Sequence, residues 1–477
     1  VELISWEGFW FFLIAPILAW STQDRWRNFI IGFLNLIFAA FWIQKAFLLM
    51  LAAVCISYVC AKKIVNEDSK IWLIAGVAVT LCPVLIFLWP AHFVEFNKWR
   101  GIWLHASVAF FSLQASGALL DIRWGRANPP NSIWHWLSFC LFFPSLFAGP
   151  ICKWSDLGKC ISSPHSFTLE DGFAALRLFG QGLFKKMVFS APLFFILDRY
   201  FLDPKQFGWI TAVGMALILR YAIWAEIGSH ADWARGAARL LGYQIPRNFH
   251  YPFQTLRLAE FWRSWHMSLS GWLQDYVFTP LALGQLRRIF SPNWALIVAL
   301  LAAFAVLGVW HGLTLSFLIM GLINGLGVIL SEGSWRRCEM GNHSLFRLYK
   351  WTVAPMLILG FMILPTLLLR IEYTTLTQIF SMPDYNYETS WNRLTEITDG
   401  AAVINRSLIP VIAAGFIYEG LLYISRKGIN SANPTSNDWD FAQLAPWVQA
   451  LILLVGFILF MFFADFGASR GFIYVRQ

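Results

Sequence analysis

Residues 290–330 read FSPNWALIVALLAAFAVLGVWHGLTLSFLIMGLINGLGVIL, a run without one Asp, Glu, Lys or Arg. Its sole ionisable side chain is His311, set in Gly308-Val309-Trp310-His311-Gly312. A membrane-crossing helix needs about 20 apolar residues, so the run is long enough for two spans, Trp294 to Trp310 and Thr314 to Leu330. The His-Gly pair then falls at a helix end or break near the turn, where Gly312 permits backbone that an ordinary helix excludes. A bilayer makes an ionisable group expensive to keep, which favours a functional histidine over a hydrogen-bonded packing residue.

Working outward, the 477 residues are 58% hydrophobic, 17% aromatic and only 13% charged, with a mean hydropathy of +0.57. Such a chain is neither disordered, nor a small disulfide scaffold, nor an ordinary cytosolic enzyme. Long unbroken apolar runs, in place of alternation, predict helices rather than a barrel. The expected fold is an all-α polytopic membrane protein, one membrane-embedded domain over residues 1–477. About a dozen spans are expected, several so short that they need tilt, with re-entrant or interfacial helices besides. Six candidate spans lie between Trp6 and Pro150, two more are Leu183 to Phe201 and Trp209 to Ala225, and five lie between Trp294 and Phe463. The first, Trp6 to Trp20, has no basic residue before it, so it reads as a span and not a secretory signal. Val1 is expected to follow a removed initiator methionine.

The net charge of +9 is explained by basic loops that hold topology, so no nucleic-acid partner is expected. Arg25, Arg27, Lys62, Lys63, Lys70, Arg123 and Arg126 fall in odd-numbered connections, which places the N-terminus outside the cytoplasm. The seven cysteines form no CxxC pair and read as small apolar residues, so neither a metal nor a redox dithiol is expected.

Residues 226–276 carry five arginines and four acidic residues, with His230, His250 and His266 and interleaved tryptophans. That near balance predicts paired charges in a folded, partly buried segment with amphipathic or re-entrant helices. Residues 371–406 and 427–440 read as extramembrane loops.

An uncharged histidine in such a setting suits general base catalysis, taking a proton from an alcohol. Ser268 and Ser270 lie beside His266, but no GxSxG elbow is present. HExxH and the phosphate loop GxxxxGK[ST] are also absent, and His266 and His311 are widely separated in sequence. Acyl transfer to a hydroxyl from an activated donor such as a thioester is what remains. A transporter with a charged midsection, or a non-catalytic assembly subunit, would also suit the charge pattern.

Two blocks, Phe261-Trp262-Arg263-Ser264-Trp265-His266-Met267-Ser268-Leu269-Ser270 with Trp272-Leu273-Gln274-Asp275-Tyr276, and Gly308-Val309-Trp310-His311-Gly312, resemble the signatures of membrane-bound O-acyltransferases. The bacterial branch that modifies extracellular polymers is similar. It includes the membrane subunit of alginate O-acetylation and the D-alanyl transferase of teichoic acids. Phe143-Pro144-Ser145-Leu146-Phe147-Ala148-Gly149-Pro150, Gln181-Gly182-Leu183-Phe184-Lys185-Lys186, Asn248-Phe249 and Pro252-Phe253 add to the resemblance, which covers a motif-bearing core of residues 121–330.

The resemblance implies a central tunnel through the fold, His311 as catalytic base, and His266 as a second catalytic-site residue lining the same tunnel. Trp265, Trp310, Arg263, Asp232, Asp275 and Tyr276 are expected as tunnel-lining or supporting residues. It implies a multi-pass protein of the bacterial inner membrane with no bound cofactor. An acyl donor, acetyl-CoA, would be used on the cytoplasmic side, and a cell-surface polysaccharide or an exported acetyltransferase partner would receive the group outside. The alternative within the class is D-alanyl or other acyl transfer from a carrier protein. The chain departs from that branch at Glu226-Ile227-Gly228-Ser229-His230-Ala231-Asp232 and at Gln274, so donor or acceptor is where it is expected to differ.

Overall fold

Apolar runs free of breakers fold into helices because helical hydrogen bonding satisfies the backbone without water. The computed structural model describes residues 6–67, 70–87, 99–146, 148–162, 166–339, 346, 348–350, 352–371, 373–381, 415, 418 and 420. Among the described residues there are helices and turns and no strand. The helices are α1 (Trp6–Trp20), α2 (Asp24–Ile43), α3 (Phe47–Asn66), α4 (Lys70–Phe87), α5 (Trp99–Arg123), α6 (Ile133–Cys140), α7 (Phe143–Leu146) and α8 (Lys159–Ser162). They continue as α9 (Leu169–Phe184), α10 (Ala191–Tyr200), α11 (Trp209–Leu240), α12 (Leu258–Ser264), α13 (Met267–Leu273), α14 (Pro292–His311), α15 (Leu315–Glu339), α16 (Val353–Leu367) and α17 (Tyr373–Ser381). The protein is an all-α polytopic membrane protein.

By length and composition, six described segments suffice to cross a bilayer: Trp26–Ile43, Phe47–Val65, Trp209–Leu240, Pro292–His311, Leu315–Arg336 and Leu348–Leu367. Shorter apolar helices, Trp10–Trp20, Lys70–Ile86 and Ile133–Leu146, accompany them, in line with the expected mixture of full and short spans. The spans expected near 407–424 and 447–463 and the loop at 427–440 lie outside the described residues, apart from positions 415, 418 and 420. The 371–406 segment contains α17 and otherwise lies outside them.

The chain packs as two compact units, one of residues 1–179 with 230–373 and the other of 180–229 with 374–477. In the second, Lys186 lies on a π-helical turn, Lys185–Ser190. Its Nζ donates to both carboxylate oxygens of Glu226, at 2.7 and 2.9 Å, and the Ser190 hydroxyl donates to the same carboxylate.

The polar stretch from Glu226 was expected to interrupt the preceding span at Ala225. Instead α11 runs on to Leu240. The reason is electrostatic: Asp232 pairs with Arg235 one turn on, at 3.8 Å, and Arg239 reaches Asp171 at 3.4 Å. Charges with partners need not leave the helix to reach water.

In the first unit, α13 continues through π-helical turns at Gln274–Phe278 and Leu281–Gln285 and a 3-10 turn at Leu286–Arg288 before the chain enters α14. Pro292 opens α14 at a position where its missing N–H costs nothing. The α14 helix has 20 residues and is about 30 Å long. Its buried stripe is Ala295, Ala299, Ala303, Phe304, Leu307 and Gly308, while Trp294, Leu296, Val306 and Val309 are exposed. Small residues let α15 approach closely. A Cβ added to Gly308 would lie 2.2 Å from the Phe317 carbonyl oxygen, and one on Gly321 would lie 2.1 Å from that of Phe304. The backbones of α14 and α15 are therefore in direct contact just below the end of α14.

Candidate functional site

His311 is the last residue of α14, and Gly312 caps it, so the histidine sits at the helix end where the sequence placed it. His266 precedes α13 as its N-cap. The turn near 289–291 lies about midway between them, so two histidines distant in sequence occupy one end of a helical hairpin.

Three separate sequence blocks are stitched together around His266. The Ser268 hydroxyl accepts from the Ile151 N–H at 3.0 Å and donates to Asn248 Oδ1 at 2.6 Å. The Met267 N–H donates to the Asn248 carbonyl at 2.8 Å, and that of His250 to the Ser264 carbonyl at 2.9 Å. One residue beyond Ile151, the Cys152 N–H donates to Gln114 Oε1 at 3.0 Å, while Gln114 Nε2 donates to the Phe139 carbonyl at 2.6 Å. A buried amide that meets donor and acceptor together fixes α5 against this loop.

His266 takes a left-handed conformation, φ 43° and ψ 53°, which costs a non-glycine residue about 1–2 kcal/mol. Such strain persists only where surrounding contacts impose it. The side chain is buried, and its Nδ1 has no hydrogen-bond partner among the described residues. His266 lies outside the six long apolar segments. Burial, and secondarily the nearby His311, hold its imidazole well below the ordinary value of 6.5, so it is neutral near pH 7. His266 and His311 are linked through the rings of Phe110 and Trp310.

The rings between them form a continuous array. Phe110 of α5 stacks on His266 at 5.9 Å between centroids, tilted 22°. It meets Trp310 edge-on at 5.8 Å, and Trp310 meets His311 edge-on at 4.8 Å. The Nδ1 of His311 is 2.8 Å from the Leu307 carbonyl oxygen. Because a carbonyl only accepts, Nδ1 carries the proton and the lone pair of the neutral ring is on Nε2. A histidine held in that tautomer suits removal of a hydroxyl proton.

The other expected residues divide by position. Trp265 is buried, stacked on Phe261 at 5.2 Å and edge-on to Phe249 at 5.1 Å, which holds the bend between α12 and α13. Trp310 belongs to the ring array. Asp275 and Tyr276 lie further along the α13 hairpin arm, about 15 Å from His266 at helical rise. There Lys153 donates to Asp275, and Tyr276 stacks on Trp124 at 5.8 Å. Asp232 pairs with Arg235 within α11, and Arg263 is exposed on the last turn of α12.

Sequence reading missed Phe110, Gln114 and the bridging role of Asn248 and Ser268. Gln114, an amide inside the apolar run of α5, was a visible signal. Phe110, an aromatic among aromatics, gave none. Among the described residues no cluster of His, Cys, Asp and Glu is arranged to hold a metal ion.

A profile of the membrane-bound O-acyltransferase family matches residues 130–371, which include both histidines and all three stitched blocks. The chain is 25% identical over 361 residues to a peptidoglycan O-acetyltransferase of Helicobacter pylori, covering 67% of each chain. It is 26% identical over 346 residues to a probable alginate O-acetylase AlgI of Pseudomonas aeruginosa, covering 67% of this chain and 64% of that one. A teichoic acid D-alanyltransferase of Streptococcus thermophilus is 26% identical over 281 residues, covering 57% of this chain and 66% of that one. The chain thus spans about two thirds of the length of these relatives.

Proposed function

Since this chain belongs to the membrane-bound O-acyltransferase family and is an acyltransferase, we propose that it moves an acetyl group from acetyl-CoA on the cytoplasmic side to a polysaccharide outside the cell. Delivery is direct or through an exported acetyltransferase partner, and the protein resides in the bacterial inner membrane. The observation that carries this reading is the ring array joining His266 to His311, with the tautomer of His311 set by the Leu307 carbonyl.

In the reaction, an acceptor hydroxyl oxygen attacks the thioester carbonyl carbon while His311 Nε2 takes the hydroxyl proton. The tetrahedral intermediate collapses, the carbon–sulfur bond breaks, and the thiolate receives the proton from His311. The products are an ester and a free thiol. His266, neutral and linked to His311 through the Phe110 and Trp310 rings, adds no positive charge to oppose the transient protonation of His311.

Supporting the acetyl reading are two relatives named as O-acetylating proteins. The D-alanyl relative defines the competing outcome. Membranes containing the full chain, given radiolabelled acetyl-CoA or a D-alanyl carrier protein, separate the two. Label in envelope polysaccharide from acetyl-CoA supports the proposal; label only from the D-alanyl carrier overturns its donor.

A further inference from the structure

We propose that Phe110 sets the length of the acyl group this protein transfers, as the wall that restricts the site to a two-carbon chain. The inference rests on the acyl-transfer reading above and deepens it. Phe110 lies in α5, outside every motif block, yet its ring has its face toward His266 and meets Trp310 edge-on, with Trp310 against His311. It therefore occupies the junction between the surroundings of the two histidines.

The backbone beneath it is fixed. One turn on, the Leu113 carbonyl accepts from Trp272 Nε1 at 2.8 Å, and Gln114 is held at both its amide atoms. At Gly117, an added Cβ would lie 2.8 Å from Trp272 Nε1, so α5 and α13 have no slack between them. The room at the histidines is thus governed by the Phe110 side chain, not by movement of its helix.

For His311 to take the acceptor's proton, the acyl carbonyl carbon must come within about 3–3.5 Å of the acceptor oxygen. The rest of the acyl chain then extends from that carbon among the rings. An aromatic wall there accommodates a methyl and excludes additional methylenes. In an apolar pocket each methylene is typically worth about 10–200-fold in discrimination.

The test supplies acetyl-, propionyl- and butyryl-CoA at limiting concentration to membranes containing the full chain. Acyl incorporation into envelope polysaccharide is measured for the wild type, Phe110→Leu and Phe110→Ala, normalised to protein abundance. Wild type is expected to favour acetyl by at least about tenfold over propionyl. Phe110→Ala should raise the butyryl-to-acetyl ratio by about tenfold or more, and Phe110→Leu the propionyl-to-acetyl ratio by a smaller factor. If Phe110→Ala fails to accumulate, the Leu variant decides, since it keeps most of the buried volume. Unchanged ratios in an accumulating variant of an active protein overturn this inference alone. A wild type that transfers no acyl group from any of these donors overturns the donor reading, and the inference with it.

Discussion

In α14 the Nδ1–H of His311 donates to the carbonyl oxygen of Leu307, 2.8 Å away and one helical turn earlier. A carbonyl has two lone pairs, so that of Leu307 can accept from the imidazole besides the helix's own N–H and thereby choose the tautomer of the candidate base. The position and tautomer of His311 then depend on the α14 end remaining where it is; this and three further features of the fold can be tested individually.

The contact of α14 with α15 requires glycine at its crossing. Gly308→Ala or Gly321→Ala would force a methyl to within 2.2 or 2.1 Å of a facing carbonyl oxygen. The helices must separate, at a cost of about 1–3 kcal/mol or more. A lowered melting temperature and reduced acyl transfer are expected together. Gly333→Ala, in the same α15 but with nothing near its Cβ position, should be neutral or stabilising by up to about 1 kcal/mol.

The Ser268 hydroxyl bridges Ile151 and Asn248. Ser268→Ala leaves a buried N–H and a buried amide oxygen without that partner, at a cost of about 1–3 kcal/mol. Because His266 is two residues away in a strained conformation, transfer rate should fall along with melting temperature. A normal melting temperature and full activity would remove the bridge from the account.

Burial, with His311 second, lowers the His266 pKa from its ordinary 6.5. The unfolded chain therefore takes up a proton at a pH where the folded one does not. The associated stability is whole above about pH 6.5 and is lost progressively as the pH falls. Wild type should lose melting temperature on going from about pH 7 to pH 5. His266→Gln should lose less over the same interval, each protein measured against its own value at neutral pH.

In the second unit the buried Lys186–Glu226 pair predicts a strongly non-additive response. Removing one partner, as in Lys186→Met or Glu226→Gln, should destabilise by about 3–5 kcal/mol, whereas replacing both by methionine should recover most of that. Equal losses in single and double variants, read from melting temperatures, would contradict it.

How much of this was legible in the sequence depends on what each residue had to announce it. His311 stood out because it was the one ionisable group in residues 290–330, and its place at a helix end followed from Gly312. The blocks around His266 were visible as motifs, but the hydrogen bonds joining Ile151, Asn248 and Ser268 are long-range, and no local spacing encodes them. Glu226 read as a boundary because charge usually ends a span; its pairing with Lys186, 40 positions earlier, is a tertiary fact. Phe110 was invisible for the opposite reason, since an aromatic side chain in an apolar helix carries no local mark of what it faces. Gly308 and Gly321 were present in the letters, yet their meaning lies in the contact between two helices.

Acyl transfer is proposed to depend on His311 as the base. The most direct test measures acyl incorporation into envelope polysaccharide in cells carrying His311→Ala, with abundance of the protein in the membrane measured alongside. Loss of transfer by about 10²–10⁴-fold at normal abundance is the predicted result. Undiminished transfer at that abundance would contradict it.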